Sequence, residues 1–276
     1  MTSPDADLPI YVDFFRRMLA LADHYLHQDS KILDFGCGAG KFVYHFRDAG
    51  FDAHGFDIHD YLQLRSPEDR QYFRFAIDGA ADSSDMSVDW NRYRLPYPDA
   101  TFDFVLSFET LEHVLNHEAV LRELARVMKP GGIAVHIFPP KYRYLEGHTY
   151  VPFGGVTKSY WYNLFWAALG IRNEFQKGLS ARETARRNVR YAHTGTNYPS
   201  IFELRRLARK YYGAVHFAPE YWHVAWGHYG WRLTRPARLA YTLLNEIVWV
   251  LEKPRHDLVT ERPSAPVSSE AETQAA

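Results

Sequence analysis

A short apolar run that leads into three closely spaced glycines constrains the fold of this chain more than any other stretch does. Residues 31–42 read as a buried strand, a turn and the start of a helix. Gly36, Gly38 and Gly40 remove side chains where the backbone would have to approach a ligand closely. Asp34 lies at the strand end, where its carboxylate can meet a positive or hydrogen-bonding group. An ordinary tight turn between a strand and a helix has the same glycine pattern as a ligand-binding turn, so the neighbouring sequence must distinguish the two.

A second predicted strand, residues 54–58, follows the glycine turn and the helix predicted after it. Asp57 lies near the end of this strand, and Ile58 is next to it. In α/β nucleotide-binding folds, an acid at this position hydrogen-bonds the ribose hydroxyls of the ligand. Taken alone, Asp57 also fits an ordinary loop aspartate.

Further blocks follow in order, and the whole set resembles the class I S-adenosylmethionine-dependent methyltransferases, in the branch that includes the ubiquinone and menaquinone methyltransferases. The resemblance covers about residues 30–140. It implies an α/β fold with a doubly wound, seven-stranded, mostly parallel sheet and a helical elaboration on the acceptor side. It also implies that S-adenosyl-L-methionine is held by the residues named above and by Ser107, at the end of the fourth strand. The further blocks are residues 95–107, Leu111-Glu112-His113-Val114, Leu121-Arg122-Glu123-Leu124 and Val127-Met128-Lys129-Pro130-Gly131-Gly132.

The resemblance also implies an acid at the end of the third strand, which accepts from the adenine amino group, with the next residue against the ring. We expect Asp89 and Trp90 to be this pair, because only a short run separates them from Leu95. The alternative is Asp78, which follows the apolar stretch 73–77.

Polar side chains follow the fourth predicted strand, residues 102–108. Because the carboxyl ends of parallel strands lie at the ligand crevice, Ser107, Glu109 and His113 are expected near the reactive methyl group. Glu109 and His113 share a face if a helix starts here. The alternative role for both is packing.

The loop that leaves the fifth strand reaches the same crevice and carries His148 after Gly147. It resembles an acceptor loop with a Gly-His step in some bacterial methyltransferases of this branch. An alcohol acceptor must lose its proton, either to a positioned base or with help from a metal. His148, His113 and Glu109 are therefore the predicted catalytic candidates. His223 and His228, in a histidine-rich stretch, leave a divalent metal open as an alternative. For His148 the alternative is an ordinary surface histidine.

The chain is predicted to form one methyltransferase domain over residues 1–261. Its cofactor-binding core is residues 28–140, and residues 141–261 hold the acceptor-side elaboration and the last strands. Residues 262–276 have almost nothing apolar to bury and are predicted to be disordered. Helices are predicted at residues 9–27, 41–49, 117–128, 182–190 (exposed), 199–212 and 236–252.

The formal charge of −1 hides an asymmetry along the chain. Residues 1–140 hold 13 Lys or Arg against 22 Asp or Glu, whereas residues 141–250 hold 16 against 6. The basic half is consistent with an anionic acceptor, a lipid surface or nucleic acid, although solvated arginines are the simplest explanation. The same half carries 23 aromatic residues, which predict an aromatic-lined acceptor cavity as well as core.

These features predict a methyltransferase that forms an ether on a hydroxyl of a saccharide or glycan precursor. The alternatives are a lipid, quinone or phenolic acceptor, a nucleic-acid-binding methyltransferase, and a non-catalytic cofactor-binding protein. Nucleic acid is the less expected partner, because no recognised RNA-binding module appears. A soluble, cytoplasmic protein is expected, since the sequence shows neither a run of membrane-span length nor a signal-peptide layout. The single cysteine, Cys37, excludes an internal disulfide framework.

Overall fold

A seven-stranded sheet forms the centre of the chain in the computed structural model, which describes residues 10–76, 94–219, 221 and 234–259. The strands are β1 (Lys31–Phe35), β2 (Asp52–Asp57), β3 (Phe73–Phe75), β4 (Phe102–Phe108), β5 (Met128–Phe138), β6 (Tyr212–Phe217) and β7 (Ile247–Pro254). Their spatial order is β3-β2-β1-β4-β5-β7-β6. Both pairings of β7 are antiparallel and all the others are parallel, which confirms the predicted sheet.

Helices cover both faces of this sheet, as a doubly wound fold requires. The helices are α1 (Ile10–Leu21), α2 (Lys41–Asp48), α3 (His117–Val127), α4 (Tyr160–Ala168), α5 (Ala181–Thr194), α6 (Ile201–Tyr211), α7 (Arg235–Leu244) and α8 (His256–Val259). One core packs α1 and α2 against the sheet through Phe15 and Phe46. The other packs α3 and α6 through Leu124 and Leu204. Burial of these apolar side chains is the main stabilising term on each face.

The sheet winds in opposite directions from β1, and this reversal positions the site. Leu33 pairs with His54 of β2 on one side and with Val105 of β4 on the other. In open α/β sheets, ligands bind outside the carboxyl ends of the strands at such a reversal. Gly36 and Glu109 leave β1 and β4 at this point, and both have left-handed backbone, with φ of 82° and 51°.

The third strand lies in the apolar stretch 73–77 that precedes Asp78, the alternative to Asp89. It is Phe73–Phe75, paired with β2, so its carboxyl end leads towards Asp78. The expectation of a third strand ending before Asp89 was therefore wrong. Asp78, Asp89 and Trp90 themselves lie outside the described residues.

The long late helix predicted at 236–252 was also wrong in its second half. Helix α7 ends at Leu244, and the chain continues as β7 from Ile247. The five residues from Ile247 to Leu251 are at most 1% exposed, between β5 and β6. A continuous, partly β-branched apolar run forms a strand when sheet lies on both sides of it.

Two further expectations about helices need correction. Helix α5 is present, but it is not exposed all round, since Thr184, Ala185 and Asn188 are buried. Glu109 and His113 do not share a helix face, because only a 3₁₀ turn, Leu111–His113, forms there.

No described helix is long and apolar enough to cross a membrane.

A buried arginine ties the segment before β4 to α3. Arg126 is 2% exposed and donates to the carboxylates of Glu123 and Asp99. Its guanidinium also donates to the carbonyl oxygens of Leu95 and Tyr97, at 2.9 Å each. The bidentate fork of arginine thus fixes a segment that has no regular structure of its own.

Candidate active site

A cavity of about 510 Å³ opens at the carboxyl ends of β1, β2 and β4. The glycine turn, Asp57 and Ile58 contribute to its wall, as predicted for a cofactor site. The Asp57 carboxylate accepts from the backbone N–H of Gly38 at 2.8 Å and from that of Ile58 at 2.7 Å. These bonds hold the turn against β2 and fix the carboxylate at the cavity wall.

The three glycines differ in what they do. Gly38 has φ of 50°, and apart from its chain neighbours no heavy atom of the described residues lies within 4 Å of where its Cβ would stand. A Cβ on Gly36 would lie 2.2 Å from the Thr110 side chain, and one on Gly40 would lie 2.8 Å from the Phe73 ring. Gly36 and Gly38 line the cavity, whereas Gly40 caps helix α2. The glycine pattern thus serves both ligand approach and packing.

Two other predicted cofactor residues are not in the cavity wall. Asp34 is 2% exposed, and its carboxylate has no hydrogen-bond partner among the described residues. Burial, followed by the nearby Asp57, raises the pKa of Asp34 well above its usual value. Ser107 is fully buried and hydrogen-bonds His136 Nδ1 at 2.8 Å inside the sheet. Contact of either residue with a cofactor stays a prediction.

Sequence reasoning missed a histidine in the same wall. His59 is 3% exposed and lines the cavity two residues after Asp57. Neither of its ring nitrogens has a hydrogen-bond partner within the described part of the chain. A buried imidazole without partners is costly unless a ligand or water satisfies it. Its position just after the acid of β2 was the only available signal.

A second cavity, of about 590 Å³, adjoins the first, and both are lined by Tyr191 and Gly195 of the α5 end. His148 lies in the wall of the second cavity. The remaining side chains of this wall are mainly polar. They include Thr149, Asn173, Glu174, Gln176, Arg187, Asn188, Arg190 and Thr194, with Tyr150 and Phe175 as the further aromatics.

A buried carboxylate fixes the orientation of His148. Its Nδ1 is 2.8 Å from Glu146 Oε1, and its backbone N–H donates to Glu146 Oε2 at 3.0 Å. Because a carboxylate only accepts, Nδ1 carries the proton and Nε2 keeps its lone pair. Asn173 donates to the His148 carbonyl oxygen at 2.7 Å, which anchors the loop from outside.

Glu146 is the second functional residue that sequence reasoning missed. It is 6% exposed and also accepts from the Thr149 N–H and hydroxyl and from the Tyr198 hydroxyl. Burial alone would raise its pKa, but the hydrogen bonds from His148, Thr149 and Tyr198 outweigh burial and lower the pKa to about 2. Glu146 is therefore ionised at neutral pH. The signal in the sequence was an acid two residues before the loop histidine.

His113 stands opposite His148, with ring centroids 5.0 Å apart. Its Nδ1 is 2.6 Å from the Gly195 carbonyl oxygen, so Nδ1 donates and Nε2 keeps its lone pair. Burial is the main cause that lowers the pKa of His113. Glu112, behind it, is fully buried, and desolvation raises its pKa to about 8. Glu112 is therefore mainly protonated at neutral pH.

The structure thus brings two of the three predicted catalytic residues together. His113 and His148 meet where the cavities adjoin, and Glu109 lines the first cavity as an exposed side chain. One ligand atom each from Glu112, His113 and His148 lie within 4.8 Å of one another, a spacing from which a divalent cation can be held. His223 and His228, noted for a metal in the histidine-rich stretch, lie outside the described residues.

Comparison with known proteins identifies the family of this chain. A family model described as a methyltransferase domain matches residues 10–211. The 27-O-demethylrifamycin SV methyltransferase of Amycolatopsis mediterranei is 34% identical over 39% of this chain and 38% of its own length. The norajmaline N-methyltransferase of Rauvolfia serpentina is 30% identical over 44% of this chain and 39% of its own. A sterol 24-C-methyltransferase of Schizosaccharomyces pombe is 29% identical over 43% of this chain and 32% of its own length. The chain thus spans between about a third and two fifths of the length of these relatives.

Proposed function

This chain belongs to the class I S-adenosylmethionine-dependent methyltransferases, and we propose that it methylates a hydroxyl oxygen of a small polar acceptor, a saccharide or glycan precursor. The relatives named above differ in the acceptor that their names state, and they do not single out the ubiquinone and menaquinone branch. The proposal therefore rests on the site. The observation that carries it is the His148–Glu146 pair where the two cavities adjoin.

The first cavity suits S-adenosylmethionine. The open backbone at Gly38 permits close approach, and Asp57 offers a carboxylate for the ribose hydroxyls. The imidazole of His59, which has no hydrogen-bond partner among the described residues, adds a polar group that a bound nucleoside can satisfy. For the adenine contact, the position of β3 favours Asp78 over Asp89. The bound cofactor would supply an activated methyl group with its own leaving group.

Methyl transfer to a hydroxyl requires the acceptor to lose its proton. His148 Nε2 has a free lone pair, because Nδ1 donates to Glu146. The acceptor oxygen forms its bond to the methyl carbon as the carbon–sulfur bond breaks, and its proton passes to Nε2. Ionised Glu146 then stabilises the resulting imidazolium. General-base help of this kind contributes about 100-fold or more.

The lining of the second cavity favours a polar acceptor. Amide, hydroxyl and charged side chains outnumber apolar ones there, and they can pair with the many hydroxyls of a sugar. Tyr150, Phe175 and Tyr191 offer flat faces for the CH surface of a sugar ring. A sterol or quinone could form hydrogen bonds with few of these side chains.

An acceptor screen tests this function. Saccharides, glycolipid precursors, phenols and quinones are offered side by side with S-adenosylmethionine, and products are identified by the mass gained on methylation. We expect a saccharide to be methylated, and His148→Ala to lower turnover about 100-fold at unchanged cofactor affinity. His193→Ala, in the exposed last turn of α5, is the matched control.

Other outcomes of the screen would contradict parts of this proposal. Turnover of phenols but of no carbohydrate would reject the saccharide, and unchanged turnover by His148→Ala would reject the base. If a chelator abolishes activity and a divalent cation restores it, a metal bound by His113 and His148 assists the loss of the acceptor proton, and His148 is not the base. Cofactor binding without any product would indicate a non-catalytic cofactor-binding protein. Steeply salt-dependent binding of RNA would indicate a methyltransferase that acts on nucleic acid.

A further inference from the structure

Four basic side chains line the outer part of the acceptor side. Arg187 and Arg190 of α5 lie in the wall of the second cavity. A third cavity, of about 710 Å³, is lined by Arg172 and Lys177. The second and third cavities share Tyr150, Asn173 and Glu174 in their walls. The second and third cavities therefore border each other at these residues.

Most of these cations have no structural task. Arg187 pairs with Glu183 at 3.2 Å, one turn earlier on α5. Within the described residues, no carboxylate forms an ion pair with Arg172, Lys177 or Arg190. Glu174, the carboxylate shared by the two cavity walls, accepts from the Tyr150 hydroxyl at 3.2 Å. The walls of the two cavities thus carry a surplus of positive charge.

Helix α5 brings these charges near the base. Tyr191 lies in the wall of both the first and the second cavity, and its ring is 5.2 Å from that of His148. Arg187 is four residues before Tyr191 and therefore lies on the same face of the helix. Arg190 is adjacent to Tyr191 and lines the same cavity. An acceptor in the second cavity can therefore contact both His148 and Arg190.

We propose that the acceptor carries a phosphate group, which Arg190, Arg172 and Lys177 bind while its hydroxyl faces His148. This inference rests on the proposed function, whose acceptor class it narrows to a phosphorylated saccharide. Arginine forks match phosphate oxygens geometrically, and lysine adds a mobile point charge. Several unpaired cations suit a phosphate, with its two charges and several acceptor oxygens, better than a single carboxylate.

Direct binding tests the phosphate site without any need for turnover. Titration calorimetry with hexose phosphates and the matching free hexoses is run on the protein preloaded with S-adenosylhomocysteine. We expect the phosphates to bind at least about 10-fold more tightly, and Arg190→Gln and Arg172→Gln each to remove most of that difference. Arg186→Gln, an exposed arginine of α5 outside the two cavity walls, is the matched control.

Kinetics separates this inference from the proposed function. With a phosphorylated acceptor that is turned over, Arg190→Gln should raise KM about 10-fold or more and leave kcat nearly unchanged. The KM of the unphosphorylated acceptor should rise much less. Equal binding of phosphates and free hexoses, or equal effects of Arg190→Gln and Arg186→Gln, would overturn the phosphate site. If no hydroxyl acceptor is methylated, the proposed function fails, and the calorimetry still decides the site.

Discussion

Glu146 is a buried side chain that orients His148, the base in our proposal. It accepts hydrogen bonds from His148, Thr149 and Tyr198, and this set keeps it ionised despite burial. An ionised acceptor at Nδ1 favours the tautomer with a basic Nε2 and stabilises the imidazolium once it forms. The role of His148 therefore depends on Glu146, although Glu146 lines neither cavity.

Replacing Glu146 by Gln tests this dependence. Glutamine keeps the shape but loses the charge and one acceptor oxygen, so the tautomer of His148 is no longer fixed. We expect kcat to fall about 10- to 100-fold, with cofactor affinity within about 2-fold of the unchanged protein. Steady-state kinetics and calorimetry measure the two effects, with Glu183→Gln on α5 as the control. An unchanged kcat would show that Glu146 only stabilises the loop.

Asp57 provides a test of the first cavity. Its carboxylate supports Gly38 and Ile58 and faces the cavity where the ribose is expected. Asp57→Ala should weaken S-adenosylmethionine binding by about 1–3 kcal/mol, because a buried hydroxyl loses its partner. Calorimetry measures this change, and Asp60→Ala, an exposed residue outside the cavity wall, should have little effect. If the unchanged protein, Asp57→Ala and Asp60→Ala bind S-adenosylmethionine equally well, the ribose does not contact Asp57.

At the scale of elements, the sequence predicted those strands and helices that carry a clear local signal. Strand β4 and helices α2 and α3 lie within one residue of their predicted bounds, and α6 lies within two. They follow from apolar periodicity and helix ends, and β1 falls within the predicted stretch 31–42. The run from Ile247 to Leu251 has no such signal, since its apolar residues fit a buried helix or strand equally well. Only its position between β5 and β6 makes it a strand.

The Arg126 network gives a prediction about how one segment is held. Arg126→Ala leaves the buried carboxylate of Glu123 without its cationic partner and removes the donors to the carbonyl oxygens of Leu95 and Tyr97. We expect the free energy of unfolding to fall by about 3–5 kcal/mol. Urea denaturation measures this loss, with Arg122→Ala on the same helix expected to cost about 1 kcal/mol or less. A loss below about 1 kcal/mol for Arg126→Ala would mean that the segment is held by apolar packing.

For the whole molecule, a buried carboxyl makes stability depend on pH. Burial raises the pKa of Glu246 to about 7, outweighing the nearby Arg143, whereas an unfolded glutamate titrates near about 4.3. Its contribution to stability is fully present below the unfolded pKa and is lost as pH rises through the folded pKa. Glu246→Gln removes this titration, so the variant should be more stable than the unchanged protein at pH 8, by about 1–3 kcal/mol.

Urea denaturation at two pH values checks the effect of Glu246. We expect the two proteins to be nearly equal in stability at a pH of about 4 and to separate as the pH rises to about 8. Glu252→Gln on β7 is the control. A constant difference between the unchanged protein and Glu246→Gln at all pH values would mean that Glu246 ionises normally in the folded state.

At the same scale, the sequence supported the sheet, the family and the approximate position of the site, because the blocks that determine them are short and contiguous. The geometry of the acceptor side was not predictable in this way. Residues 148, 172 and 190 are far apart in the chain, and the cavities they line depend on how α4 and α5 pack. Glu146 and His59 were missed because burial, not residue type, distinguishes them.

The central claim is that a methyl group passes from sulfur to an acceptor oxygen beside His148. It is tested most directly with S-adenosylmethionine labelled with carbon-13 in the methyl group, since the chemical shift of the transferred carbon reports the atom to which it is attached. We expect one new O-methyl signal on a saccharide, and we expect it to form much more slowly with His148→Ala. An N-methyl or C-methyl signal, or equal rates for both proteins, would contradict it.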